Sequence, residues 1–280
     1  MTANSGGSFV RANGIDIHYV QAGQGAPVVL LHGGVVSTNP IWVHAPVSYA
    51  GHMPELARRY RIIAPDTRGC GRTVHDGGLV TFDQLADDVV ALADALDLDQ
   101  PLIAGFSEGA ITATIAAIRN PDRFRAVVND AGYDAFDPQA PTGAMMRQML
   151  GGSPDATQAD PAAFARMMSQ DPQMSAMLEL FKADQDGGQG EGHWAQYLRL
   201  AFHRVTEYPG YTFQDFAKIT APALILVGDR DEYCTLEDGI AAYRQLPRGE
   251  IAVLPATGHV ITPAKIELTL AFFDRHLQAS

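Results

Sequence analysis

The strongest structural signal in the chain is the segment Leu102-Ile-Ala-Gly105-Phe-Ser107-Glu-Gly109-Ala-Ile111. An apolar run typical of a buried strand leads into Gly-x-Ser-x-Gly, and a helical pattern follows it. In this order the serine occupies a sharp turn between strand and helix, where its hydroxyl is available for attack on a substrate. The flanking glycines let the strand and the helix pass close together. The segment therefore predicts Ser107 as a catalytic nucleophile.

A serine hydroxyl is a weak nucleophile until a base takes its proton. The predicted base is His259, which lies beside Gly258 in the turn after the apolar run Ile251–Leu254. The chain has nine histidines, and none of the others follows a predicted late strand in this way. A histidine in such a turn can reach a serine at another strand end.

The third member of a triad orients the imidazole and stabilises it when it is protonated. The predicted acid is Asp231, in a carboxylate-rich turn after the apolar run Ala223–Val227. Asp229 and Glu232 lie in the same turn and are rivals. Asp130, at the end of another predicted strand, is the main alternative.

Acyl transfer also needs hydrogen-bond donors for a developing oxyanion. The run Val28–Leu31 leads into a His-Gly-Gly turn, so the predicted donors are the backbone N–H groups of Gly34 and Glu108. His32 is predicted to support this turn by hydrogen bonding. The Glu108 side chain has two interpretations: an acid favoured at a helix N-terminus, or a carboxylate that selects substrates with a cationic group.

Apolar runs alternate with helical patterns along the chain, which is typical of an α/β protein with a mainly parallel sheet. A hairpin is predicted over Phe9–Ala22, with its turn at Asn13-Gly14. Six buried strands are predicted at Val28–Leu31, Ile62–Ala64, Leu102–Ala104, Ala126–Asn129, Ala223–Val227 and Ile251–Leu254. Helices are predicted at Thr81–Leu96, Ala110–Ile118 and Ile266–Leu277.

Residues 133–217 contain no candidate for a central strand but seven of the nine methionines. We interpret this segment as a helical cap inserted into a core formed by residues 1–132 and 218–280. Flexible methionine side chains suit an adaptable apolar pocket, although ordinary helix packing explains them as well. The predicted pocket residues are Trp42, Tyr133, Met145, Met149 and Trp194.

Composition excludes several classes of function. The formal net charge is −12, which disfavours binding to nucleic acid or to anionic membranes. Cys70 and Cys234 form no metal or redox motif, and we predict no metal and no cofactor. The N-terminus carries no secretory signal pattern, so we expect a cytoplasmic protein. We expect a small molecule as its partner and leave a homodimer open.

Most of the chain resembles the α/β-hydrolase superfamily. The resemblance rests on His32-Gly33-Gly34, Asp66-x-Arg68-Gly69-x-Gly71, Gly105-x-Ser107-x-Gly109, Gly228-x-x-Asp231 and Gly258-His259. Gly105-Phe-Ser-Glu-Gly-Ala-Ile, with Asn120-Pro-Asp-Arg-Phe after it, is similar to the biphenyl-hydrolase-like, or valacyclovirase-like, branch. The resemblance implies an eight-stranded α/β-hydrolase fold with a helical cap and a Ser-His-Asp site without a cofactor.

We therefore predict a serine hydrolase that cleaves a small-molecule ester or lactone through an acyl-enzyme on Ser107. The same triad can hydrolyse carbon–carbon bonds or carry out perhydrolysis, and these reactions remain alternatives. A ligand-binding relative with little turnover is a further alternative. A dinucleotide-binding enzyme is disfavoured, because Gly69-x-Gly71 lacks the third glycine and the helix of that fingerprint.

Overall fold

A single sheet of eight strands organises the computed structural model of the chain. The strand order is β1-β2-β4-β3-β5-β6-β7-β8, and all pairs from β4 to β8 are parallel. The strands are β1 Ser8–Ala12, β2 Ile15–Ala22, β3 Pro27–Leu31, β4 Arg61–Pro65, β5 Leu102–Phe106, β6 Val127–Asp130, β7 Ala223–Gly228 and β8 Gly249–Leu254. The structure describes residues 7–34, 36–39, 42–75, 77–140, 142–149, 160–207 and 209–277, without the side chains of Met146, Arg147 and Met149. The predicted mainly parallel sheet is confirmed.

The antiparallel part of the sheet begins with a two-residue hairpin. Asn13 and Gly14 have φ angles of 43° and 79°, which is the left-handed pair that a type I′ turn requires. β1 pairs with β2, and β2 pairs antiparallel with β4. The central strands differ from this hairpin, because every residue of β5 and β7 is buried. Their uninterrupted apolar sequences follow from cover on both faces.

Nine α-helices of the described residues connect or flank the strands. They are α1 Met53–Leu56, α2 Phe82–Ala95, α3 Glu108–Arg119, α4 Thr142–Met149, α5 Pro161–Met168, α6 Pro172–Gln189, α7 His193–Thr206, α8 Leu236–Gln245 and α9 Pro263–Leu277. The sequence prediction missed α8, which begins after Thr235, whose hydroxyl accepts the N–H of Asp238 at 3.1 Å. This side-chain cap is a local signal for a helix start.

Four α-helices, α4 to α7, lie between β6 and β7, and the described part of residues 133–217 contains no strand. Two of these helices begin with the same type of N-terminal cap. Asp160 precedes Pro161 and accepts the N–H of Ala162, while Asp171 precedes Pro172 and accepts two N–H groups. An acidic N-cap followed by proline at the first helical position is a strong start signal. The division into core and cap remains a prediction.

The inserted helices have a hydrophobic cluster separate from the main core. It contains Phe164, Met168, Leu178, Phe181, Tyr197, Leu198, Ala201 and Phe202 from the insertion, joined by Val36, Trp42 and Cys70 from loops of the sheet domain. The insertion therefore packs onto the loops that follow β3 and β4. Met168 is buried in this packing, which supports the helix-packing explanation for that methionine.

The parallel strands place several loops along one edge of the sheet. The turns after β3, β5, β7 and β8 carry Gly34, Ser107, Asp231 and His259, respectively. Carboxyl ends of parallel strands meet at the same edge, which is where open α/β sheets build their sites. Among the described residues, none of the helices combines the length and apolarity needed to cross a bilayer.

Candidate active site

Ser107 occupies a strained turn between β5 and α3. Its φ and ψ angles are 53° and −121°, a region that a residue with a side chain adopts only where its surroundings enforce it. The surroundings leave no room for side chains. A Cβ at Gly105 would lie 2.1 Å from the carbonyl oxygen of Gly109, and a Cβ at Gly109 would lie 2.5 Å from backbone oxygens of the turn after β3. The glycines therefore permit the close packing that presents Ser107.

A continuous hydrogen-bond chain joins Ser107, His259 and Asp231. The Ser107 Oγ lies 3.0 Å from His259 Nε2, and His259 Nδ1 lies 2.9 Å from Asp231 Oδ2. This network assigns a proton to Nδ1, which donates it in a hydrogen bond to the Asp231 carboxylate. Nε2 is then unprotonated and can accept a hydrogen bond from the serine hydroxyl. This arrangement prepares the imidazole to act as a general base.

Asp231 is held as a carboxylate by several donors. Burial opposes its ionisation, but the hydrogen bond and charge of His259 outweigh burial, with help from the N–H groups of Tyr233 and Cys234, so the pKa of Asp231 lies below its usual range. These two N–H groups donate to Oδ1 at 2.9 and 3.0 Å. The acid is thereby fixed in both position and charge.

The imidazole of His259 lies between two aromatic rings. The ring centroids of Phe106 and Tyr233 lie 4.8 and 4.9 Å from that of His259. The His259 side chain nevertheless keeps 18% of its surface exposed. The imidazole is thus fixed in orientation and still reachable by a small molecule.

The rival acids have other partners. Asp130 is buried at the end of β6, where its carboxylate pairs with Lys265 Nζ at 2.5 Å. Burial raises the pKa of Asp130, and Lys265 opposes that rise. In the turn after β7, Asp229 accepts the N–H of Thr257 at 3.2 Å, and Glu232 is exposed. The structure brings only Asp231 of these four carboxylates into hydrogen bonding with His259.

The turn after β3 lies against the serine turn. A Cβ at Gly33 would lie 3.7 Å from the Cβ of Ser107, and a Cβ at Gly34 would lie 2.6 Å from Glu108 Oε2. Glu108 is the first residue of α3, so its N–H lacks a partner within the helix, and among the described residues no backbone acceptor outside the helix pairs with it. His32 supports the turn as expected: Nδ1 donates to the Gly33 carbonyl at 2.7 Å, and Nε2 accepts the N–H of Thr67 at 3.1 Å.

The Glu108 side chain does not offer a free carboxylate to a substrate. It is 3% exposed and forms an ion pair with Arg204, whose side chain is fully buried. Arg204 Nε donates to Oε1 at 3.1 Å, and Nη2 donates to the same oxygen. A cation therefore already neutralises Glu108, and the interpretation that it selects cationic substrates is wrong. Sequence analysis missed Arg204, because no local motif marks it.

Two of the five predicted pocket residues are parts of the packing. Trp42 and Tyr133 are fully buried; the indole of Trp42 donates to Asp184 at 2.6 Å, and the Tyr133 hydroxyl donates to the carbonyl of Cys234 at 3.2 Å. Such side chains present no open surface to a ligand, which favours a packing role for both rings, and their assignment to a pocket wall stays a prediction. Trp194 is half-buried, with the ammonium of Lys182 5.3 Å above its ring.

The two methionines of the predicted pocket lie on α4. The Met145 side chain is half-buried and stays a candidate for contact with substrate. The Met149 side chain lies outside the described part of the chain.

Asp231, Cys234 and His259 offer ligand atoms that all lie within 4.8 Å of one another. Their hydrogen bonds already use these atoms. Burial raises the pKa of the Cys234 thiol, and this thiol lies 3.1 Å from Asp134 Oδ1. Cysteine binds a metal as its thiolate, which the raised pKa disfavours. We therefore assign Asp231, Cys234 and His259 to a hydrogen-bond network and not to a metal site.

Comparison with known proteins gives relatives along nearly the whole chain. It is 28% identical to a 2-hydroxy-6-oxo-2,4-heptadienoate hydrolase of Pseudomonas putida, over 90% of this chain and 89% of the relative. It is 26% identical to 3-oxoadipate enol-lactonase 2 of Acinetobacter baylyi, over 88% and 87% of the two chains. A meta-cleavage product hydrolase structure from Pseudomonas fluorescens superposes with a TM-score of 0.73 at 20% identity, covering 96% of this chain and 98% of the other.

Two of the sequence relatives are hydrolases of 2-hydroxy-6-oxo dienoates, in agreement with the predicted resemblance to the biphenyl-hydrolase-like branch, and the superposed structure shows the shared fold. The family model for the alpha/beta hydrolase fold matches residues 26–263. That range contains the strand ends that carry Gly34, Ser107, Asp231 and His259. The chain belongs to the α/β hydrolase fold family.

Proposed function

We propose that this protein is a serine hydrolase that cleaves a small-molecule ester or lactone through an acyl-enzyme on Ser107. The observation that carries the proposal is the unbroken hydrogen-bond chain from Asp231 through His259 to Ser107. His259 takes the serine proton as Oγ attacks the carbonyl carbon, and Asp231 stabilises the imidazolium that forms. The imidazolium then returns the proton to the leaving alkoxide.

The oxyanion of the tetrahedral intermediate is held by the backbone N–H groups of Gly34 and Glu108. Support for this assignment comes from the proximity of the two turns and from the N–H of Glu108, which pairs with no backbone acceptor in the part of the chain that the structure describes. A water molecule, deprotonated by His259, then attacks the acyl carbon; the bond to Ser107 Oγ breaks, Oγ takes the proton back from His259, and the acid is released. For a lactone, both products remain in one molecule as a hydroxy acid.

The four helices between β6 and β7 act as a cap over this site in our proposal. Arg204 on α7 reaches the residue that follows the nucleophile, which supports a location close to the serine. The Met145 side chain on α4 is the candidate for apolar contact with substrate. The cap then determines which acyl and leaving groups fit.

Hydrolysis of a carbon–carbon bond is a second candidate, because relatives that match most of the chain include hydrolases of 2-hydroxy-6-oxo dienoates. The same base and oxyanion donors serve both reactions. A relative named as an enol-lactonase supports the first candidate. Substrate turnover distinguishes the two.

The test is a panel of a short p-nitrophenyl ester, a five-membered lactone and 2-hydroxy-6-oxohepta-2,4-dienoate, assayed with wild type and Ser107→Ala. Ser169→Ala is a matched control, because this serine is exposed on the insertion. We expect ester or lactone turnover that is lost in Ser107→Ala and kept in Ser169→Ala. Serine-dependent turnover of the dienoate alone identifies the carbon–carbon hydrolase. Turnover that survives Ser107→Ala refutes both candidates.

A further inference from the structure

The carboxylate of Glu108 lies in an unusual place for a negative charge. Its Oε2 would be 2.6 Å from a Cβ on Gly34, and its own N–H is one of the two proposed oxyanion donors. The charge therefore lies beside both donors, where a negative oxygen develops during the reaction. Like charges in a water-poor site repel strongly, so a bare carboxylate here would oppose the transition state.

Arg204 supplies the compensating charge. It reaches Glu108 across 96 positions of sequence, from α7 of the insertion to the first residue of α3. Burial opposes its charge, but the neighbouring Glu108 outweighs burial and raises the pKa of Arg204. The guanidinium therefore keeps its proton although the side chain is fully buried.

The ion pair is poorly built as a stabilising element. Among the described residues, Glu108 Oε2 and Arg204 Nη1 are buried without a hydrogen-bond partner. A buried pair with unsatisfied atoms contributes little net stability, because desolvation offsets the attraction. Its position beside the oxyanion donors gives it a different use.

We propose that Arg204 is a positioning residue for catalysis, which neutralises Glu108 so that the N–H groups of Gly34 and Glu108 can stabilise the oxyanion. The inference rests on the proposed function and deepens it. Arg204 acts through Glu108 and needs no contact with substrate. Its loss leaves a negative charge beside the donors.

The test compares kcat and KM of wild type, Arg204→Gln, Arg204→Lys and the double variant Glu108→Gln with Arg204→Gln, on a neutral p-nitrophenyl ester. We expect Arg204→Gln to lower kcat by about 10²- to 10³-fold, similar to the loss of an oxyanion donor, with little change in KM. Arg204→Lys keeps the charge and should retain at least about ten times the kcat of Arg204→Gln. The double variant removes both charges and should recover most of the lost kcat.

Two comparisons between the folded variants can overturn the inference. One is a kcat of Arg204→Lys equal to that of Arg204→Gln, which indicates that shape rather than charge matters. The other is a double variant no faster than Arg204→Gln, which indicates a structural role for the pair. If Arg204→Gln does not fold, the other two variants decide. The inference is supported if Arg204→Lys and the double variant each keep a kcat within about tenfold of wild type, and it is overturned if both lose more than that.

A different outcome separates the inference from a role in substrate binding. If Arg204 binds an anionic group of the substrate, its loss raises KM for anionic esters and leaves kcat of the neutral ester unchanged, which refutes the charge-neutralising role. Failure of the proposed function is visible beforehand, because the wild type then shows no Ser107-dependent turnover of either the neutral ester or the lactone. The two failures are thus distinguishable.

Discussion

Gly105 is the position at which the serine turn is most sensitive to one added carbon atom. A Cβ there would lie 2.1 Å from the carbonyl oxygen of Gly109 and 2.6 Å from the backbone nitrogen of Ala110. Carbon and oxygen atoms approach one another to about 3.3 Å in weak contacts. Gly105→Ala therefore pushes the first turn of α3 away from β5 by about 1 Å, since the clashing atoms are backbone and cannot rotate away.

This displacement acts on stability and on catalysis. Overpacking of a tight interior contact costs about 1–3 kcal/mol. A misplacement of about 1 Å in a reacting group costs about 10²-fold in rate, and Ser107 lies between the two displaced elements. We expect Gly105→Ala to lower the free energy of unfolding in urea by about 2 kcal/mol and kcat/KM for a short ester by about 10²-fold.

The matched control is Gly187→Ala. Gly187 is an exposed residue within α6, and a Cβ there meets nothing within 4 Å. Alanine is favoured over glycine in a helix by about 1 kcal/mol, so this variant should be at least as stable as wild type and equally active. If the free energy of unfolding of Gly105→Ala lies within about 0.5 kcal/mol of the wild-type value and the variant keeps full turnover, the steric reasoning is refuted.

Three further predictions concern buried carboxylates. Asp231→Asn should lower kcat by about 10⁴-fold, because the imidazole loses its orienting charge; steady-state ester kinetics check this, and a loss under tenfold contradicts it. Asp130→Asn leaves Lys265 as an unpaired buried charge and should lower the free energy of unfolding in urea by about 3–5 kcal/mol, whereas an unchanged midpoint argues against the pair. Burial opposes ionisation of Asp66, but hydrogen bonds from His18 and other donors outweigh burial and lower the pKa of Asp66. The Asp66 carboxylate therefore stabilises the fold above the ordinary carboxyl pKa of about 4, and this stabilisation is lost as the pH falls below that value. Asp66→Asn should therefore be less stable than wild type at about pH 6, with a gap that narrows towards about pH 3; a gap independent of pH refutes this.

The fold was predictable because its signals are local. The hairpin turn needs only Asn13-Gly14, and the buried strands have uninterrupted apolar sequences. Prediction failed at α8, whose start depends on the Thr235 cap and a short amphipathic pattern. Short helices in an α/β protein carry weaker periodicity than buried strands.

The pocket residues were harder to predict, because an aromatic side chain has the same local signature in a pocket wall and in a core. Trp42 is buried against the insertion, and its N–H bonds Asp184, which lies 142 positions away. Tyr133 bonds a carbonyl in the turn after β7. Only contacts between distant segments reveal that these rings are packing residues.

The positions of Ser107 and His259 in turns after strands follow from the sequence alone, because local sterics determine those turns. Asp231 and Asp130 both end strands, so sequence order alone left the acid open. The tertiary structure separates them: Lys265 neutralises one carboxylate, and His259 bonds the other. Glu108 likewise acquires its partner from a helix of the insertion. Local backbone geometry determines the position of a side chain within its own turn. The charged partner of that side chain comes from a distant segment, which lies nearby only after the chain has folded.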